Sequence, residues 1–323
     1  MEKIAMSTEQ KITSPHWESF LRNLANKISE PTSNQLTSRC WSLKSLTTMI
    51  QEIRTSGFPS NFPRTREILK HLINIGWAYR IDVEPPSAAI TSAAEFYLLD
   101  IGAAHGITVD PLELLQASRP SGVICYLSAL TYHSLTTQFP THHHIAVIYK
   151  AAPAHKAYDN QTSVVEDKPT ASIKKSSLGN HLFTYEGVPF YQIKRSASRL
   201  IGVQTRILGP RTNLRITNIE QTLLDTLHMP KYCGGPPIVF ESWEEGISNL
   251  DDDLLEDYLK KIDSHLILRR VGAMFDLLGF TPSRSIASIL ENVLKKNSMA
   301  SAIPMLPGYD FPVINNKWKV MTP

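Results

Sequence analysis

Between Asn61 and Val83 (NFPRTREILKHLINIGWAYRIDV) the hydrophobic period changes once, and that change constrains the fold more than any other feature of the chain. Pro63 suits a first helical turn, where its missing N–H costs nothing, and Gly76 stands where a helix stops. Ile68, Leu69, Leu72 and Ile75 recur at helical spacing and predict one apolar face. Glu67, Lys70, His71 and Asn74 then point the other way, with Arg64 and Arg66 flanking the first turn. After Gly76 the period becomes two: Tyr79, Ile81 and Val83 alternate with Arg80 and Asp82, which predicts a strand. Glu95–Asp100 (EFYLLD) supplies its partner, returning after the Pro85-Pro86 turn region.

Two more helices precede this one. Trp17, Phe20, Leu21, Leu24 and Ile28 form a stripe over His16–Ile28. Leu43, Leu46, Ile50 and Ile53 form another behind the capping residue Ser42, ended by Gly57, Phe58 and Pro59. Three helices followed by a hairpin are the order of a winged helix-turn-helix, whose third helix enters the DNA major groove. The expected DNA contacts are Arg64, Thr65, Arg66, Lys70, His71, Asn74 and Arg80. Arg64 and Arg66 fall where side chains reach furthest into the groove, and an Arg–guanine pair discriminates by about 1–3 kcal/mol.

A chain of 323 residues with 42% apolar content is long enough for two cores. The expected class is α+β: a winged helix over residues 1–104, with 1–14 flexible, then a larger mixed α/β domain over 105–323. The net charge of +3 is slight, so nucleic-acid affinity must come from local clusters. Cys40, Cys125 and Cys233 are odd in number and far apart, unlike a disulfide framework or a zinc module, and read as reduced thiols. With no run near the ~20 apolar residues of a membrane span and no signal-peptide core, the expected location is the cytoplasm.

Beyond Asp100 the pattern predicts a short helix over Pro111–Ala117 and a buried helix over Gly122–Leu135. A buried strand follows over His144–Tyr149, then an exposed loop over Ala151–Ser177. His181–Tyr185 and Val188–Ile193 form one hairpin about Glu186-Gly187; Val203–Leu208 and Leu214–Thr217 form a second through Gly209-Pro210-Arg211. A helix capped by Thr217 or Asn218 runs to Pro230. Glu241 to Asp257 reads as a pair of amphipathic helices with an acidic outer face, and Leu266–Leu278 as a helix exposing Arg269-Arg270. The chain closes on an extended tail with an edge strand at Trp318–Val320.

Catalytic chemistry is sparse. His142-His143-His144 alternate across a strand without a carboxylate or thiol at ligand spacing, so no metal site is expected. Glu166-Asp167-Lys168 has the look of half a nuclease motif but sits in a polar, loop-like stretch and reads as solvated charge. Asp225 and Glu220, five apart, share no helix face; Asp225 is expected to brace the Lys231–Gly235 loop. No Walker loop, nucleophile elbow or zinc-protease motif occurs. The expectation is a protein that is not an enzyme and carries no cofactor. Lys174, Lys175, Lys194, Arg195, Arg199, Arg206, Arg211 and Arg215 crowd the sheet region. Of these, Lys194, Arg195, Arg206 and Arg211, together with Arg269 and Arg270, are the expected second surface.

Three segments carry a resemblance: Ile216–Leu227 (ITNIEQTLLDTL), Pro230–Gly235 (PKYCGG) and Leu268–Gly279 (LRRVGAMFDLLG). In order, within a match over most of Pro111 to Phe280, they resemble the AbiEi family of antitoxins and transcriptional regulators of bacterial type IV toxin–antitoxin, or abortive-infection, systems. This chain has Ile219-Glu220-Gln221 where the family carries Pro-Glu-Arg. The resemblance implies an N-terminal winged helix that represses the protein's own operon at inverted repeats, as a monomer that pairs on DNA. It also implies a C-terminal domain that neutralises a nucleotidyltransferase toxin without needing a stable complex. Two alternatives stand beside it: direct docking of the toxin, with the acidic Glu241–Asp257 face as the patch, and a metal-dependent nuclease centred on Glu166.

Overall fold

The structure, a computed structural model, describes residues 15–29, 39–86, 94–99, 109–149, 177–209, 212–262, 264–296 and 301–323. The chain is α+β and divides into two compact units. The first comprises Met1–Ser121, Phe183–Glu186 and Arg206–Leu214, so it runs past the expected boundary at residue 104. The second comprises Gly122–Leu182, Gly187–Thr205 and Arg215–Pro323. Among the described residues no helix is long and apolar enough to cross a membrane. The expectations for residues 1–14, for all of the Ala151–Ser177 loop but Ser177, with Glu166–Lys168, and for Arg211 lie outside the described residues.

In the first unit α1 (Pro15–Ser29), α2 (Leu43–Gly57) and α3 (Thr65–Asn74) turn their apolar stripes onto one core of Trp17, Phe20, Leu24, Leu46, Ile50, Ile68 and Leu72. Ser42 caps α2 as its residue type and position predict, its Oγ accepting from the Ser45 N–H at 3.2 Å. Strands β1 (Cys40–Ser42), β2 (Ala78–Ile81) and β3 (Phe96–Leu99) form an antiparallel sheet of order β1-β3-β2. The registers run Ala78↔Leu99 to Ile81↔Phe96 and Cys40↔Leu98 to Ser42↔Phe96. The expected hairpin is therefore present, but it is extended by β1. A three-residue strand directly before a helix cap is too short to show a period, which is why pattern alone misses it. Helix α4 (Pro111–Ser118), capped by Asp110, completes the unit's described helices.

A six-stranded mixed sheet has the order β6-β7-β5-β4-β9-β8. The strands are β4 (Val123–Ile124), β5 (His143–Tyr149), β6 (Asn180–Tyr185), β7 (Val188–Ser196), β8 (Val203–Gly209) and β9 (Thr212–Thr217). Both expected hairpins, β6–β7 and β8–β9, are neighbours in it. The buried segment Gly122–Leu135 is not one helix: β4 and α5 (Leu127–Tyr132) divide it at Tyr126, whose φ is +57°. Uniform burial hid the break, since an apolar run has no face by which to tell strand from helix.

Helices α6 (Ile219–His228), α7 (Pro236–Gly246), α8 (Asp252–Ile262), α9 (His265–Leu278) and α10 (Arg284–Lys296) enclose a core that includes Leu223, Leu227, Trp243, Leu259, Val271 and Phe275. The tail forms a small sheet of β10 (Ile303–Pro304), β11 (Val313–Asn315) and β12 (Val320–Thr322), with order β10-β12-β11. The expected edge strand thus starts two residues later, at Val320, and is the central strand. It is held there because Trp318 packs on Gly272 of α9, where a methyl group would stand 2.5 Å from the indole.

Candidate nucleic-acid interface

Helix α3 is set by its ends and by aromatic packing. Its N-cap is Arg64, whose N–H donates to the Glu67 carboxylate at 2.8 Å, the reciprocal half of a capping box. Pro63 therefore precedes the helix rather than opening it, and its carbonyl accepts from Arg54 Nε at 3.0 Å, tying the entry loop to α2. At the other end the Gly76 N–H donates to the Ile73 carbonyl at 3.1 Å and the Trp77 N–H to the Leu72 carbonyl at 2.9 Å. With Gly76 at φ +74°, that is a Schellman cap. The stop residue was legible in the sequence because few other residues take this conformation without strain.

The buried side of α3 is Ile68, Leu69 and Leu72. Ile75, expected to join them, is half exposed, because it lies past the last helical turn. Rings from the neighbouring elements fix the helix laterally: Trp17 stacks on Phe20 at 5.5 Å, Phe58 on Phe62 at 4.8 Å, and Trp17 meets His71 edge-on at 4.5 Å. His71 is thereby half buried, and burial lowers its pKa. Its ring braces α3 against α1. Thr65 is committed as well, its Oγ1 donating to Gln51 Oε1 at 2.9 Å.

Four of the six expected DNA contacts on α3 and at its start remain presented to solvent: Arg64, Arg66, Lys70 and Asn74. Among the described residues the side chains of Arg66 and Lys70 enter no ion pair. Arg80 on β2 is exposed and sits 3.9 Å from Glu95, a distance at which it stays available to a stronger acceptor. The structure thus gathers Arg66, Lys70 and Asn74 on one helical face, with Arg64 at the helix start.

The second expected surface does not exist as drawn. Lys194 and Arg206 are exposed, but Arg195 is 5% exposed, Arg269 4% and Arg270 3%. Arg195 makes a two-point pair with Asp225, its Nη2 reaching Oδ1 at 2.7 Å and the Arg199 carbonyl at 2.8 Å, under the ring of Tyr126 at 5.3 Å. Burial works against its charge, and the Asp225 carboxylate more than offsets that, holding the guanidinium well above its ordinary range. Asp225 also accepts from Gln221 Nε2 at 2.8 Å, so it braces β7 rather than the Lys231–Gly235 loop. Arg269 and Arg270 face inward and donate to carbonyls: Arg269 to those of Trp318, Ser301 and Lys319 in the tail, Arg270 to that of Pro304 in the tail and that of Leu227 at the end of α6. A helical pattern cannot distinguish a solvated arginine from one that satisfies chain ends, because both are polar positions.

The histidine run is likewise structural. His142 Nε2 lies 3.1 Å from the Tyr232 carbonyl, His143 Nδ1 3.1 Å from Ser128 Oγ, and His144 Nε2 2.8 Å from the Leu178 carbonyl. Burial pushes His143 down to about 4 and His144 to about 3. His144 stacks on Tyr232 at 4.9 Å and on Tyr191 at 5.6 Å. Among the described residues no group of three histidine, cysteine or carboxylate side chains is placed to hold a metal ion. Sequence reasoning passed over one concave feature, a cavity of about 330 Å³ in the first unit lined by Arg39, Val109, Asp110, Glu113, Leu208, Gly209 and Thr212. Burial raises the pKa of Glu113, and Thr212 Oγ1 donates to its Oε1 at 3.1 Å. Its lining comes from three separated segments, so no local motif marks it.

No family model and no curated protein matches the chain. Three chains of solved structures match, among them the crystal structure of the RV2827C protein from Mycobacterium tuberculosis. That protein is 13% identical, with 95% of this chain and 91% of that one covered at a TM-score of 0.49.

Proposed function

We propose that this chain is a sequence-specific DNA-binding repressor whose first unit works as a winged helix, with α3 as the recognition helix and the β2–β3 hairpin as the wing. The observation that carries this reading is the exposed Arg66–Lys70–Asn74 face of α3 on a helix whose other polar groups are committed to capping and packing. Arginine suits guanine, asparagine suits adenine, and lysine with the flanking Arg64 and Arg80 suits phosphate. We further propose that the protein is the antitoxin and autorepressor of a type IV toxin–antitoxin operon, bound as side-by-side copies at inverted repeats and neutralising a nucleotidyltransferase toxin. That part rests on the resemblance to the AbiEi family. It is supported by the packing of its motif segments in one core: α6 and α9 are neighbours, and Arg270 donates to the Leu227 carbonyl at 3.2 Å.

The test is binding of the full chain to its own upstream DNA against a scrambled duplex across a salt series. The expected result is preference for the upstream duplex, a steep fall in affinity with salt, and loss of preference in Arg64→Ala/Arg66→Ala. Equal weak binding to both duplexes would remove the repressor reading. A second reading, direct docking of a basic toxin surface, is favoured by the exposed carboxylates Glu244, Glu245, Asp251, Asp252 and Asp253 on α7, α8 and the turn between them. Charge reversal there abolishes toxin capture and leaves DNA binding intact if that reading holds.

A further inference from the structure

The exposed face of α3 contains one residue that repression by charge alone does not explain. At about 100° per residue, Arg66, Lys70, Ile73 and Asn74 fall within an arc of about 100°. Ile73 forms one edge of that arc, about 20° from Arg66, and is 40% exposed. An isolated surface isoleucine is ordinary. This one stands at the border of the polar stripe, next to Arg66, and its side chain is not among the buried residues of the helix, which are Ile68, Leu69 and Leu72. Glu67, which shares the outer face, is tied by the Arg64 N–H and so is not free to accept from cytosine.

We propose that Ile73 reads the C5-methyl group of a thymine in the major groove, one of three sequence-reading positions on α3 with Arg66 for guanine and Asn74 for adenine; this rests on the DNA-binding reading above. In the major groove the methyl is the one apolar feature a base edge offers, and it is what an aliphatic side chain among hydrogen-bonding ones can recognise. Arg66 and Ile73 are seven residues apart, about 10 Å along the helix, or about three base-pair steps. The Schellman cap immediately after Asn74 fixes the last turn, so Ile73 is held in place rather than frayed. The other half-exposed isoleucine of this region, Ile75, points about 180° from Arg66 and serves as an internal control.

The experiment uses the full chain and its upstream duplex, with each thymine of the footprint replaced in turn by deoxyuridine, which removes only the methyl. At one thymine in each half-site the replacement is expected to weaken wild-type binding about fourfold, the worth of one buried methyl. Ile73→Ala is expected to lose about the same factor on the intact duplex and to ignore the replacement; Ile73→Val retains part of the discrimination, and Ile75→Ala all of it. A wild-type protein indifferent to every replacement overturns the inference without any variant. So does an Ile73→Ala protein that keeps the full penalty, or one whose altered affinity tracks a change in oligomeric state, which would make Ile73 a contact between copies. If the wild type shows no preference for the upstream duplex, the repressor reading falls and this inference with it; preference without methyl sensitivity overturns this inference alone.

Discussion

Arg66 of the first unit and Arg195 of the other unit are alike in sequence, each a cation among polar neighbours, yet the fold uses them in opposite ways. Arg195 is enclosed, paired at two points with Asp225 and covered by Tyr126. Arg66 is exposed and pairs with nothing among the described residues. The same contrast holds for histidine: His143 and His144 are buried in the second unit, whereas His71 is only half buried against Trp17. The second unit consumes Arg195, Arg269 and Arg270 internally, and the first leaves Arg66 and Lys70 on an exposed face. Uncommitted cations are what an anionic partner can use, because no internal bond has to be broken first.

Acid should break this contrast most visibly. Burial pushes His143 to about 4 and His144 and His228 to about 3, below the ordinary value of 6.5. These groups are neutral in the folded chain and take up protons on unfolding. Their contribution to stability is therefore complete above about pH 6.5 and is lost as the pH falls through 6.5 toward 4 and then 3. The slope is up to about 1.4 kcal/mol per pH unit for each histidine. Hydrogen exchange followed from pH 7 to 4.5 should show the second unit losing protection first, and His144→Phe should flatten its pH dependence; equal loss in both units would refute the contrast.

Next in size is the buried pair. Arg195→Met leaves the Asp225 charge without its partner and should cost about 3–5 kcal/mol in denaturant unfolding, while Arg195→Met/Asp225→Leu recovers a good part of the loss. If the single change costs less than about 1 kcal/mol, Arg195 is no more committed than a surface residue.

The sequence was a better guide to the first unit than to the second, and the reason is periodicity. Amphipathic helices with capping signals, such as Ser42 before α2 and Gly76 after α3, carry their boundaries in residue type. Strand β1, only Cys40–Ser42, has too few residues to show a period. In the second unit helix α6 is buried on every side, down to Gln221, Thr222 and Thr226, and the segment around Tyr126 is apolar throughout. Such segments show where the core is, not how it folds. For the candidate interface the charged face of α3 could be read, but the commitment of Thr65 to Gln51 and of Glu67 to the Arg64 N–H is a matter of local geometry. The inward turn of Arg269 and Arg270 depends on a tail some fifty residues further on, as in the Arg269–Trp318 bond, and no local pattern contains it.

Gly76 offers a smaller effect that links stability to function in the first unit. Gly76→Ala puts a β-carbon on a residue at φ +74° and brings it 3.3 Å from the Tyr79 hydroxyl. The cost should be about 1–2 kcal/mol, felt as fraying of the last turn of α3. DNA discrimination at the position assigned to Asn74 should weaken before discrimination at Arg66 does, since fraying begins at the end nearest the cap.

The smallest change in stability is expected at Arg66, the residue with the largest proposed role in binding. Arg66 is exposed and makes no contact that folding depends on, so Arg66→Ala should shift unfolding by less than about 0.5 kcal/mol. Its effect on DNA depends on what it touches. As a phosphate contact it would lower the slope of log affinity against log salt by about 0.9 and weaken all duplexes alike. As a guanine reader it should leave most of that slope in place and reduce the ratio of upstream to scrambled affinity by about 1–3 kcal/mol at one base position. Its place on the arc shared with Lys70 and Asn74 favours the second outcome, and Lys70→Ala, the neighbouring point charge, should give the first. Should the two variants behave identically, the face of α3 is an electrostatic patch, and sequence reading would have to come from elsewhere in the first unit.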